Sequence, residues 1–208
     1  MRNMIRRWLA LPLALLVLAV PGCGYNRIQS LDEQANAAKG QIENQLQRRA
    51  DLIPNLVNTV KGYAQHEEAV FTQVAAARGG LVNAVKGGDM EQMANANAQL
   101  TSTLGRLLAT VEAYPQLKAD RNFMALQDEL TGTENRIATA RGDYNEAVRQ
   151  YNAYIRQFPQ VLTAKMTGAQ AKKYFEVTNA GAREAPTVDF SKPAPTGPAP
   201  AAPAPATP

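Results

Sequence analysis

From Leu31 onward, apolar residues return at intervals of three and four: Leu31, Ala35, Ala38, Ile42, Leu46, Ala50, Ile53, Val57, Val60 and Ala64, then Phe71 and Val74. This is the period of a helix with one buried face, so residues 31–78 predict a long helix, about 70 Å if continuous. The only proline in that stretch, Pro54, predicts a bend or a fresh start. With Asp51 three residues earlier as an N-cap, Pro54 would fall in a first turn, where its missing N–H does no harm.

Gly79-Gly80 and Gly87-Gly88 predict a short connection. Asp89, with Gln92 three residues later, has the pattern of an N-cap and its capping-box partner, and starts a second helix near Met90. Its stripe, Met90, Met93, Asn97, Leu100, Leu104, Leu107 and Val111, alternates steps of three and four as a coiled coil does, with Asn97 the one polar member. An inward asparagine there sets helix register; contact with a ligand is the alternative.

A third helix is predicted from about Leu117 to Phe158, with Phe123, Leu126, Leu130, Ile137, Ala140, Tyr144, Val148, Tyr151, Ile155 and Phe158 on one face. Pro159 stops it, and Gly132 and Gly142 weaken it. From Val161 to Phe175 two short helical stretches are predicted around Gly168, and Val177 to Phe190 reads as irregular. No strand-like alternation is convincing, so the fold class is all-α: an antiparallel bundle of three long helices plus a short C-terminal helix over residues 31–190. Residues 191–208 hold seven prolines and six alanines and predict a disordered, polyproline-like tail.

The N-terminus follows a different rule. Arg2, Arg6 and Arg7 precede an uncharged run, Trp8 to Val20, which is the order of a secretory signal over residues 1–22. At 1.5 Å per residue the run spans about 20 Å, short of the ~30 Å bilayer core. Val20-Pro21-Gly22-Cys23 resembles a bacterial lipobox, and Cys23 is the only cysteine in the chain. Cys23 is therefore the expected lipidation site, with residues 23–30 a lipidated N-terminus and linker. An uncleaved transmembrane anchor is the alternative, and both place the domain outside the cytoplasm. Gly24 is not the aspartate that would suggest inner-membrane retention, which favours the periplasmic face of an outer membrane where there is one.

Charge and composition narrow the chemistry. The 208 residues carry a formal charge of +4, and the three leading arginines account for all but about +1 of it. A nucleic-acid binder keeps its basic footprint in the folded part, so no nucleic-acid partner is expected. One cysteine excludes an internal disulfide and Cys-rich metal sites; one histidine, His66, excludes a two-histidine metal motif. No metal and no cofactor are expected.

The run Gln47-Arg48-Arg49-Ala50-Asp51-Leu52-Ile53-Pro54-Asn55-Leu56-Val57, followed by Val60-Lys61-Gly62-Tyr63-Ala64 and His66-Glu67, resembles the signature of the LemA family of bacterial envelope proteins. Ala77-Arg78, Glu112-Ala113-Tyr114-Pro115, Glu134-Asn135-Arg136-Ile137, Tyr144-Asn145, Tyr151-Asn152 and Val188-Asp189-Phe190 are similar to its later blocks, in order. The resemblance covers residues 25–190. The Pro/Ala tail and the lipobox depart from the common pattern. It implies a helical bundle tethered to a membrane and facing outward; it implies no reaction.

Several polar residues lie on or near the predicted apolar faces. Arg48, Arg49, Asp51 and Asn55 are expected to form a buried network with Glu134, Arg141 and Asn145 of the third helix, because an unpaired inward charge is very costly. Binding of an anionic headgroup or peptide is the alternative. Tyr144-Asn145 and Tyr151-Asn152 are seven apart and share a face, as buried tyrosines between helices with asparagines that cap or crosslink, or as a ligand shelf. Lys165, Lys172, Lys173 and Arg183 are the candidate contact with an anionic lipid or acidic polymer. The carboxylates Glu67, Glu112 and Glu134 could be proposed as a hydrolytic pair, but polar pairing within a bundle explains them.

These features point to a non-enzymatic, membrane-anchored helical scaffold or adaptor with an unknown envelope protein as partner. The alternative is a cell-wall hydrolase or an activator of one.

Overall fold

A computed structural model describes residues 2–64 and 66–177, with side chains from residue 24 onward. The Cys23 side chain, Arg183, the last residues expected in the bundle and the Pro/Ala tail lie outside that range. Six helices follow in order: α1 (Arg2–Lys61), α2 (Glu68–Gly87), α3 (Met90–Val111), α4 (Pro115–Lys118), α5 (Arg121–Tyr154) and α6 (Gln160–Thr167). Among the described residues there is no strand, and the all-α bundle is as expected.

Cross-helix pairs give the directions. Tyr63 meets Asp120, Arg49 meets Glu134, and Ile28 and Leu31 pack with Tyr151 and Ile155, so α5 runs back along α1. Arg78 meets Ala50 and Gly88 meets Lys39, so α2 is also antiparallel to α1. Arg106 meets Gln73, which turns α3 back against α2. The result is up, down, up, down.

The main core joins the stripes of these four helices, including Ile42, Leu46, Ile53 and Leu56 of α1, Val74 and Leu81 of α2, and Leu100 and Leu107 of α3. A second, smaller core of Ile28, Leu31, Tyr151, Ile155 and Ala164 binds α6 to the beginning of the packed part of α1. Each buried Leu or Ile removes enough apolar area from water to contribute about 1.5–3 kcal/mol, so these stripes dominate the stability of the fold.

Several boundaries differ from the pattern reading, among them the end of α5, which comes at Tyr154 and leaves Phe158, expected on the packed face, exposed. Pro54 neither breaks α1 nor begins a helix: α1 continues to Lys61, and Asp51 caps nothing but accepts a bond from Gln47 Nε2 at 2.8 Å. The stripe expected to run to residue 78 is instead divided between α1 and α2 at residues 62–67. Gly79 and Gly80 lie inside α2, because buried Phe71, Val74, Ala77, Leu81 and Ala84 carry one apolar face across them. A glycine costs about 1 kcal/mol in a helix, which that packing outweighs.

Real stops have caps. Gly88 ends α2 with φ +69°, where an L side chain is strained, and an added Cβ would lie 3.1 Å from Lys39 Nζ. Asp89 then caps α3, Oδ1 accepting from the amides of Glu91 and Gln92 at 3.0 Å. Asp120 caps α5 in the same way, accepting from Asn122 and Phe123 at 2.9 Å, which separates α4 from the helix expected to begin near Leu117.

Candidate functional site

Arg49 sits beside Ala50 in the α1 stripe and is 4% exposed. Its Nη1 donates to Asn97 Oδ1 of α3 at 2.7 Å and meets the Glu134 carboxylate of α5 in a close ion pair. Three helices are thus pinned at one level. Burial pushes the Arg49 guanidinium down from the ordinary arginine range, while the charge and hydrogen bond of Glu134 oppose that shift. The pair is not sealed: the Glu134 side chain is 45% exposed, and Arg49 Nε has no hydrogen-bond partner among the described residues. A cleft of about 270 Å³ opens beside it, floored by Leu56, Leu104, Leu108 and Leu130.

The other members of the expected network go elsewhere. Arg48 pairs with Glu129 on the outside of the bundle at 2.8 Å. Asp51 and Asn55 are exposed on α1, and Arg141 is exposed on α5. Asp51 and Asn55 lie about a third of a turn or more from the α1 stripe, and α1 continues through Pro54, so no local rearrangement brings them inward; Arg141 borders the α5 stripe, four residues after Ile137, but its side chain is in solvent. Asn97, singled out only as a polar member of a stripe, supplies what they do not.

Asn145 faces a different partner. After α6 the chain forms neither helix nor strand over residues 169–177, so only the first of the two short helices expected around Gly168 is present, and the segment runs back along α5. The Asn152 amide brackets Lys172, donating to its carbonyl at 2.9 Å and accepting its N–H at 2.8 Å. Asn145 does the same to Phe175, at 3.4 and 2.8 Å. Tyr144 O–H donates to the Lys173 carbonyl at 2.8 Å. Seven helical residues rise about 10 Å, and three extended residues span about the same distance. A heptad-spaced asparagine pair therefore matches every third peptide of an extended chain. Phe175 is buried in the main core and finishes the attachment. Burial, and secondarily the charge of Asp89, pushes the Tyr144 phenol up to about 12.

The candidate anion contact is not assembled. Lys172 Nζ binds Asp32 at 3.0 Å and Asn36 at 2.9 Å, and lies over the Tyr151 ring. Lys173 binds Asp89 at 3.0 Å and Glu91 at 3.6 Å, which holds its ammonium above the usual lysine range; the Gln92 amide first, and then Lys173, hold Asp89 below the usual carboxylate range. These two lysines fasten the extended segment to α1 and α3, where carboxylates already neutralise them. Lys165 stands apart on the exposed side of α6.

Arg78 was not legible as a functional position. Its Nε donates 2.7 Å to the carbonyl of Ala50, four residues before Pro54. Proline in a helix leaves that carbonyl without its N–H, and the signal was therefore Pro54 itself, which requires a donor from somewhere else.

Among the described residues, no group of three or more His, Cys, Asp or Glu side chains stands close enough to hold a metal ion. In the part searched, no helix is long and apolar enough to cross a membrane; the apolar run of residues 8–20 lies outside the described side chains.

Known proteins place this arrangement. The LemA family description matches residues 38–190. The magnetosome proteins MamQ 1 and MamQ 2 of Paramagnetospirillum magneticum are each 31% identical over 76% of this chain, and MamQ of Magnetospirillum gryphiswaldense is 28% identical over the same share. The chain spans 66% of the length of each relative, just under two thirds. The matched region contains the Arg49–Asn97–Glu134 centre, the Arg78 bond and the Asn145–Asn152 ladder, and so this chain belongs to the LemA family of membrane-associated bacterial envelope proteins.

Proposed function

We propose that the chain is a non-catalytic scaffold of the bacterial envelope, tethered through an acyl group on Cys23 after removal of residues 1–22. The bundle then stands outside the cytoplasm, on the periplasmic face of the outer membrane in a two-membrane cell. It presents a rigid surface to an envelope protein partner. One observation carries this reading: the polar side chains that resemble a site are spent on holding helices together. Arg49 joins three helices, Arg78 repairs α1, and Asn145 and Asn152 strap the C-terminal segment.

The cleft beside Arg49 is lined by one carboxylate, Glu134, already paired. Glycoside hydrolysis in most families uses two, so the cleft does not favour a wall hydrolase. The family match covers residues 38–190 and stops before the Pro/Ala run, which supports a role for that region.

Two measurements test the proposal. Cells given a labelled fatty acid should label the wild-type chain and not Cys23→Ser; label retained on the variant would refute the anchor. A version lacking residues 1–23, exported through a cleavable signal, should fold yet fail to restore a strain that lacks the protein. Restoration by the untethered bundle, or turnover of wall material by it in vitro, would overturn the scaffold reading.

A further inference from the structure

The two faces of α6 are chemically different. The inner face packs on α1: Thr163 and Ala164 are buried, and a Cβ added to Gly24 would lie 3.5 Å from Gln160 Cγ and 3.6 Å from Thr163 Oγ1. The outer face has Leu162 and Met166, four residues apart and so aligned on the helix, with Phe158 two residues before the helix begins. Phe158 and Met166 are each 80% exposed and Leu162 54%. Such side chains are commonly scattered over a soluble surface. Here Phe158, Leu162, Met166 and Tyr25 make up four of the seven large hydrophobic residues exposed among those described.

Position and charge say what covers them. α6 is level with Gly24, one residue past Cys23 and four past the end of the apolar run at Val20. Under either anchor, acyl group or retained helix, that level is the membrane surface. No acidic residue occurs before Asp32 or between Glu146 and Glu176, while Arg27, Arg156 and Lys165 fall in those stretches. An apolar ridge with a cationic margin suits anionic headgroups, and Tyr25 suits the interface.

We propose that the outer face of α6, through Phe158, Leu162 and Met166, inserts into the headgroup region of the membrane that tethers the chain, a second contact that sets the orientation of the bundle on the lipid surface. The inference rests on the tethered reading above. Insertion is shallow, because the inner face of the same helix stays bound to α1.

The test uses the full chain, reconstituted in vesicles of phosphatidylethanolamine and phosphatidylglycerol whose acyl chains are brominated close to the headgroup. Trp8 is the only native tryptophan. In a Trp8→Phe background, Leu162→Trp and, separately, Met166→Trp report on the ridge; Met124→Trp, exposed in the first turns of α5 at the opposite end, is the control. Circular dichroism establishes that each variant keeps its helices. Both ridge reporters should shift to the blue and lose emission to bromine, and the control should do neither. A blue shift without bromine quenching means that protein covers the ridge, a second copy or residues 178–208, and overturns the proposal. Co-flotation with vesicles but no change at either ridge reporter overturns it while leaving the tether intact. Failure to co-float removes the tethered reading and this inference together.

Discussion

Arg78 Nε lies 2.7 Å from the carbonyl oxygen of Ala50, a group that Pro54 deprives of its own helical donor. Ala50 is fully buried, so that oxygen has no ready access to water. The side chain of α2 thus completes the hydrogen bonding of α1, and a long helix passes through a proline that would otherwise break it. The bond also fixes the level at which α2 meets α1.

This relationship predicts a strong coupling. Arg78→Leu should lower stability by about 1–3 kcal/mol, the usual cost of a stranded buried acceptor. Pro54→Ala restores the missing N–H, and in that background the same Arg78 substitution should cost much less. Urea melts of the four proteins in a double-mutant cycle measure the difference; equal costs in both backgrounds would disprove the repair.

The Arg49 centre predicts an asymmetry. Glu134→Gln should destabilise by about 1–3 kcal/mol, below the 3–5 kcal/mol of a sealed ion pair, because its side chain is half in water. Arg49→Met combined with Asn97→Leu removes both buried polar partners and lets Glu134 turn to solvent, and should come closer to neutral than Arg49→Met alone. Thermal melts decide it, and a Glu134→Gln protein that melts with the wild type would show the pair to be idle.

For the extended segment, the expected readout is amide exchange. The N–H groups of Lys172 and Phe175 are held by Asn152 and Asn145, so both should exchange slowly for an otherwise helix-free stretch. Asn152→Ala should speed Lys172 first and leave α3 unaffected. Exchange at Lys172 that is fast in the wild type would mean the ladder does not form.

Tyr144 predicts a pH dependence. Its phenol is raised from 10.0 to about 12 in the folded chain, so its contribution is complete below pH 10 and is lost as pH rises from there toward 12. The full loss amounts to about 2–3 kcal/mol, since a tenfold change in acidity is equivalent to about 1.4 kcal/mol. The ionised form would also lose its bond to the Lys173 carbonyl. Tyr144→Phe should be less stable at neutral pH and should lose less across that alkaline window. Parallel slopes for the two proteins would refute the assignment.

What could be read from the residues in order was whatever depends on near neighbours. The three-and-four stripes of α1, α3 and α5 declare helices with one buried face, and Asp89 declares a cap because its partners are two and three residues away. The inward position of Asn97 was legible for the same reason. What depended on distant chain was not. Pro54 and Gly79-Gly80 look like breaks, and only the arrival of Arg78 and a packed face turns them into helix. Lys172 and Lys173 look like a free basic patch until Asp32 and Asp89, from 140 and 84 residues earlier, neutralise them. Asn145 and Asn152 advertise a shared face by their spacing, yet the backbone they grip comes from 30 and 20 residues downstream. Periodicity is a local property and survives in the sequence; the pairing of a buried charge, carbonyl or amide is settled only when the tertiary fold brings its partner within hydrogen-bond reach.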